Sequence, residues 1–86
     1  MTGPVTGSET EQQLTELVAE LAELSPAEID AETPFADAGI DSLLAMEIAV
    51  HVESRFGVRF ADEEVRQAQT IGDLASLVAK HQGRNG

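Results

Sequence analysis

The sequence contains no cysteine, no tryptophan and no tyrosine, and its only aromatic residues are three phenylalanines. Without cysteine there is no disulfide framework and no thiolate metal site. Basic residues are scarce: five Lys and Arg stand against sixteen Asp and Glu, for a formal net charge of -11. A chain this acidic, lacking a basic patch, is repelled by nucleic acid and anionic membranes and steered toward basic protein surfaces, although many small domains are acidic for solubility alone. No apolar run reaches membrane-spanning length and no signal-peptide pattern opens the chain. The expectation is a cytoplasmic protein with neither nucleic acid nor membrane among its partners. At 86 residues the chain makes one small domain, near the lower end of what a single apolar core stabilises.

What is present is helical periodicity. Residues 1–7 hold Gly3, Pro4 and Gly7 and too little apolar surface to offset their ordering entropy, so a disordered tail is expected, as it is for residues 82–86. The domain is expected over residues 8–81. Ser8-Glu9-Thr10-Glu11 has the form of a capping box, and Leu14, Leu17, Val18, Leu21 and Leu24 then fall on one stripe, predicting a first helix to about Leu24. Ser25-Pro26-Ala27-Glu28 repeats the capping logic with proline at the first helical position, enough for a single turn. The connection from Asp30 to Asp41 is long for so small a domain, which points to function or to a crossing between helices, and Ile29 and Phe35 are expected to pin it to the core. Asp41 is a candidate N-cap for a second helix from Ser42 to about Phe56, closed by Gly57. Asp62-Glu63-Glu64-Val65 reads as a short helix. Thr70-Ile71-Gly72-Asp73 opens a last one whose buried face holds Ile71, Leu74, Ala75, Leu77 and Val78. The fold class is all-α: a small four-helix bundle with a long loop between its first two helices and a short third helix.

The second helix is unusual. At roughly 100° per residue, Ala45, Ile48, Ala49, Val52 and Phe56 share one arc, the core face. Opposite them fall Leu43, Met46, Glu47, Val50 and Ser54, so apolar side chains occupy a side that is ordinarily polar. Such a strip, rimmed by Asp41, Glu47 and Glu53, suits a docking surface for a basic partner, whereas the plainer alternative is that neighbouring loops cover it. Ser42 stands on the first turn of this helix, where a free hydroxyl is open to modification and an attached anion meets free backbone N–H groups. A hydrolase is excluded: Leu44 stands where a Gly-x-Ser-x-Gly turn needs its second glycine, and His51 lies about half a revolution from Ser42. The loop acids lack the ligand spacing of an EF-hand, and Asp37 with Asp41 has no second chemical group for acid–base work. No catalytic residue and no metal site is assigned.

Thr33-Pro34-Phe35, Gly39-Ile40-Asp41-Ser42-Leu43, Glu47, Glu53, Phe56-Gly57-Val58, Asp62-Glu63-Glu64 and Thr70-Ile71, in that order, resemble the carrier proteins of fatty acid, polyketide and nonribosomal peptide synthesis. The resemblance implies that Ser42 carries a covalent 4'-phosphopantetheine, installed from coenzyme A by a phosphopantetheinyl transferase using magnesium, whose thiol holds acyl groups as thioesters. It implies a non-catalytic, monomeric carrier served by a ketosynthase, an acyltransferase or other assembly-line enzymes with basic docking surfaces. It implies a partner surface of Asp41, Leu43, Met46, Glu47, Val50, Glu53, Glu63 and Glu64, and an acyl-chain interior of Phe35, Ala45, Ile48, Val52, Phe56 and Val65. Leu44 and Arg66 replace acids usual in fatty acid carriers, which tilts the resemblance toward polyketide or hybrid secondary metabolism. Ala38 and Ala68 replace larger aliphatics, and Gly39-Ile40-Asp41-Ser42 is closer to acyl than to peptidyl carriers. The alternatives are a peptidyl carrier and an unmodified acidic interaction module in which Ser42 merely belongs to a cap.

Overall fold

A computed structural model describes the backbone of residues 6–83 and the side chains of residues 9–82. Four helices follow in order: α1 (Thr6–Ala22), α2 (Ser42–Phe56), α3 (Asp62–Gln67) and α4 (Ile71–Gly83), with 3-10 turns at Pro26–Glu28 and Phe35–Ala38 between α1 and α2. The bundle was expected, and the described residues contain no strand. α1 packs against α4 and α2, and α3 lies against α2. Leu14, Val18, Ile48, Val52, Ile71 and Val78 are the largest fully buried side chains, and Ile29, Phe35, Ile40 and Phe60 close the core from the loops. The periodic positions of α1, α2 and α4 meet here, which is what makes short helices stable in water.

The ends of α2 follow from local chemistry. Asp41 has extended backbone and accepts the Leu44 N–H at 2.9 Å through Oδ1, and Gly57 ends the helix at φ 68°, a left-handed conformation open to glycine. α1 departs from expectation at both ends. It begins at Thr6, so Ser8 lies inside the helix rather than at its cap, and Thr6 and Gly7 are not part of a tail. It stops at Ala22, short of Leu24, because Glu23 turns to φ 61° and the Leu24 N–H reaches back to the Ala19 carbonyl at 2.8 Å. That 6→1 bond is a Schellman closure built on a non-glycine residue. At the other end α4 continues through Gln82 to Gly83, two residues beyond the expected boundary. The remaining tail positions, 1–5 and 84–86, lie outside the described residues.

The Asp30–Asp41 connection is more ordered than a plain loop. Asp30 Oδ1 accepts the Glu32 N–H at 3.0 Å and the Thr33 hydroxyl at 2.9 Å, and these bonds, led by that from Thr33, lower the Asp30 pKa. The Phe35 N–H donates to the Gln69 carbonyl at 2.8 Å and the Gly72 N–H to the Ala31 carbonyl at 2.9 Å, so the connection is tied to the start of α4 at two points. A Cβ on Gly72 would stand 3.1 Å from that carbonyl oxygen, a tight approach that glycine avoids. The Phe35–Ala38 turn, absent from the sequence reading, ends at Gly39 with φ 80°, and the Ile40 N–H closes it on the Phe35 carbonyl at 2.9 Å.

Candidate functional site

Burial of Ile40 and capping by Asp41 place Ser42 outside the core, on the first turn of α2. Ser42 is exposed, and no described residue hydrogen-bonds its hydroxyl. Of the α2 N-terminal N–H groups, Asp41 satisfies that of Leu44, while those of Ser42 and Leu43 have no partner among the described residues. A reachable hydroxyl next to two free donors at the positive end of a helix is suited to bearing an anion.

An open groove of about 710 Å³ begins at Ser42 and runs between the Phe35–Ala38 turn, α2 and α3. Its walls are largely apolar, with Phe35, Ala45, Met46 and Val65 among them, and Arg66 and Gln69 stand on the α3 side. Three of the six interior candidates, Phe35, Ala45 and Val65, therefore meet in it. Ile48, Val52 and Phe56 do not: Ile48 and Val52 are sealed in the central core and Phe56 is half-buried against it. Pro34, Ile40, Arg66 and Gln69 line the groove without having been picked out as interior. Pro34 and Ile40 stand out in the sequence as parts of the resemblance motifs and Arg66 as an odd charge in the short helix, while Gln69 carries no such signal.

The outer side of α2 is placed as its periodicity indicates. Leu43, Met46 and Val50 are 69%, 45% and 62% exposed, the three large apolar side chains most open to solvent among the described residues. Asp41, Glu47 and Glu63 are exposed around them. Two other expected rim acids are engaged within the fold. Glu53 is half-buried, with Oε2 accepting the Phe60 N–H at 2.8 Å, and so holds the α2–α3 link. The Glu64 carboxylate turns toward α4. It accepts the Ala61 N–H at 2.9 Å, meets Lys80 Nζ at 3.1 Å and lies 3.0 Å from His81 Nε2. The Ala61 N–H first, then Lys80 and His81, hold its pKa down to about 2. Glu64, expected on the second acidic edge, thus spends most of its acceptor capacity on contacts within the fold. The contacts to Lys80 and His81 span 16 and 17 positions in the chain, beyond the reach of any local pattern.

Residues 12–78 match the protein family described as "Phosphopantetheine attachment site". The chain is 41% identical over 70 residues to an acyl carrier protein of Renibacterium salmoninarum, a match covering 80% of this chain and 86% of that relative. It is 36% identical over 83 residues to the meromycolate extension acyl carrier protein of Mycobacterium tuberculosis, covering 95% and 72% respectively. A stretch of 73 residues, 84% of this chain, is 36% identical to 3% of a non-reducing polyketide synthase of Gibberella fujikuroi. In fold, the crystal structure of an acyl carrier protein from Thermotoga maritima superposes with a TM-score of 0.85 at 21% identity, covering 99% of this chain and 100% of that one.

Proposed function

Because the chain belongs to the phosphopantetheine-attachment family, and its relatives make it an acyl carrier protein rather than a catalyst, we propose that Ser42 is the attachment residue and that the outer side of α2 docks the partner enzymes. The observation that carries this reading is the exposed, unengaged Ser42 hydroxyl on the first turn of α2, capped by its neighbour Asp41. The surrounding residues fit a phosphopantetheine. The Ser42 oxygen is free to form the phosphodiester, the Ser42 and Leu43 N–H groups are left without a partner among the described residues at the same helix start, and the groove beside Ser42 gives the arm an apolar wall. When bound, that group supplies a thiol on which acyl chains are held as thioesters.

The chain's own residues do the rest. Asp41 fixes the helix start, so that Ser42 sits at a defined point on a rigid element rather than on a mobile loop. Leu43, Met46 and Val50 offer apolar contact, while Asp41, Glu47 and Glu63 steer basic surfaces of a phosphopantetheinyl transferase and of successive synthase enzymes. A carrier must release each partner, so small contacts steered by charge serve better than a large buried area.

Polyketide or hybrid secondary metabolism is the pathway class we favour. Leu44 and Arg66 at positions usually acidic in fatty acid carriers support it, as does the similarity to a stretch of a polyketide synthase. The test loads the arm and offers the protein to two acyltransferases, one from polyketide and one from fatty acid synthesis, with thioester formation followed by intact mass. Faster acylation by the polyketide enzyme is expected. Acylation by the fatty acid enzyme alone would overturn the pathway assignment and leave the carrier role standing.

A further inference from the structure

The α3 wall of the groove carries a charge that attachment at Ser42 does not by itself explain. Only two lining residues are charged, Asp41 and Arg66. Asp41 caps Leu44 through Oδ1 and makes no ion pair with Arg66. Arg66 is exposed and forms no ion pair with a described residue; both ion pairs of the described chain converge on Glu64 instead. In a protein of net charge -11, a cation without an acidic partner lines the same groove as the serine.

We infer that Arg66 is the counter-ion of the phosphodiester on Ser42, drawing the base of the arm across the groove toward α3. The inference rests on Ser42 being the attachment residue. A phosphodiester there introduces one negative charge at the mouth of a groove whose cation is a planar guanidinium, the side chain best shaped to donate two parallel N–H bonds to phosphate oxygens. The covalent bond to Ser42 keeps that anion at the groove that Arg66 also lines, so the contact needs no second diffusional encounter. The apolar side chains Phe35, Ala45 and Val65 along the groove offer the anion no competing donor, which leaves Arg66 as the one cation among the described residues lining it. Because Arg66 remains exposed, salt weakens the contact and a partner enzyme can displace it, so the arm is held between encounters and released during them. Arg66 is thus a positioning residue. It neither forms nor breaks a bond.

The experiment compares apo protein with protein loaded by a broad-specificity transferase, following backbone amide, arginine side-chain and phosphorus resonances by NMR. In the unsubstituted chain, loading is expected to shift the Arg66 side-chain N–H and the Val65 to Gln69 amides as well as the surroundings of Ser42. In Arg66→Gln the α3 shifts should vanish, those around Ser42 should remain and the phosphorus resonance should move. Arg66→Lys should restore part of the effect, as a point charge without the fork. Salt at about 1 M, where the Debye length is about 3 Å, should shrink the α3 shifts of the unsubstituted protein. Matching apo spectra of the variants outside α3 establish that their fold is intact. An arm gained with no shift in α3, or α3 shifts that persist in Arg66→Gln, overturns the role of Arg66 alone. A protein that gains no arm overturns the attachment itself, and the mass reveals this before any spectrum is taken.

Discussion

The two sides of α2 are both apolar and end differently. Ile48, Ala49 and Val52 on one side are buried to within 4% exposure, whereas Leu43, Met46 and Val50 on the other are 45–69% exposed. The inner set holds the fold by removing apolar surface from water, at about 25 cal/mol per Å². The outer set makes no such contribution, and its solvent exposure beside Ser42 is what the proposed docking role would use. Apolar content alone therefore does not locate a core: similar residue types one half-turn apart are sealed from water on one side and left open to it on the other.

The strongest way to break this comparison is to truncate both sides. Ile48→Ala should cost about 2–5 kcal/mol, a large share of the roughly 5–15 kcal/mol that holds a typical domain together. Val50→Ala should change stability by no more than about 0.5 kcal/mol. Urea unfolding of the apo protein measures both, and equal losses would erase the distinction. Next comes the outer side tested for its own role: Met46→Asp should slow arm loading by about tenfold or more, since a charge in the centre of an apolar contact is left desolvated, with the unfolding midpoint preserved. Glu47→Lys should have a smaller effect, a several-fold slowing at low salt that fades at about 1 M as screening removes the steering term. Rates unchanged in both variants would mean that the strip docks nothing.

The smallest expected effect concerns the acid that folds inward instead of outward. Glu64 has a folded pKa of about 2 against an ordinary 4.5. A depressed carboxylate pKa stabilises the fold above the ordinary value, and that stabilisation drains away as pH falls from about 4.5 toward 2. Asp30, lowered in the same direction, adds to the same trend. Glu64→Gln should therefore flatten the acid limb of the stability-against-pH curve, read by denaturant midpoints across that window. An unchanged acid limb would show that the contacts to Ala61, Lys80 and His81 do not persist in solution.

How much of this was legible in the sequence depends on the range of the interactions involved. The boundaries of α2 were readable because Asp41 and Gly57 are chemical signals for cap and stop, and both act locally. The inner and outer stripes of α2 followed from period alone. The end of α1 was not readable, since a glutamate in left-handed conformation at Glu23 advertises nothing, and Leu24 continued the apolar rhythm past the true stop. Glu64 looked like one more surface acid until α4 brought Lys80 and His81 against it. The extension of α4 to Gly83 escaped for a similar reason, because those contacts hold its last turns to α3. The groove assembles Pro34, Ala45 and Arg66 from three segments, and no single stretch of sequence carries its outline. Ser42 itself was legible in position, from the cap before it and the helix after it.

The most direct test of that serine is the intact mass of the purified apo chain after incubation with coenzyme A, magnesium and a broad-specificity phosphopantetheinyl transferase. The account predicts a gain of one phosphopantetheine group in the unsubstituted protein and none in Ser42→Ala, whose apo fold should be preserved because the cap is Asp41. An unchanged mass in the first, or the same gain in the second, would contradict it.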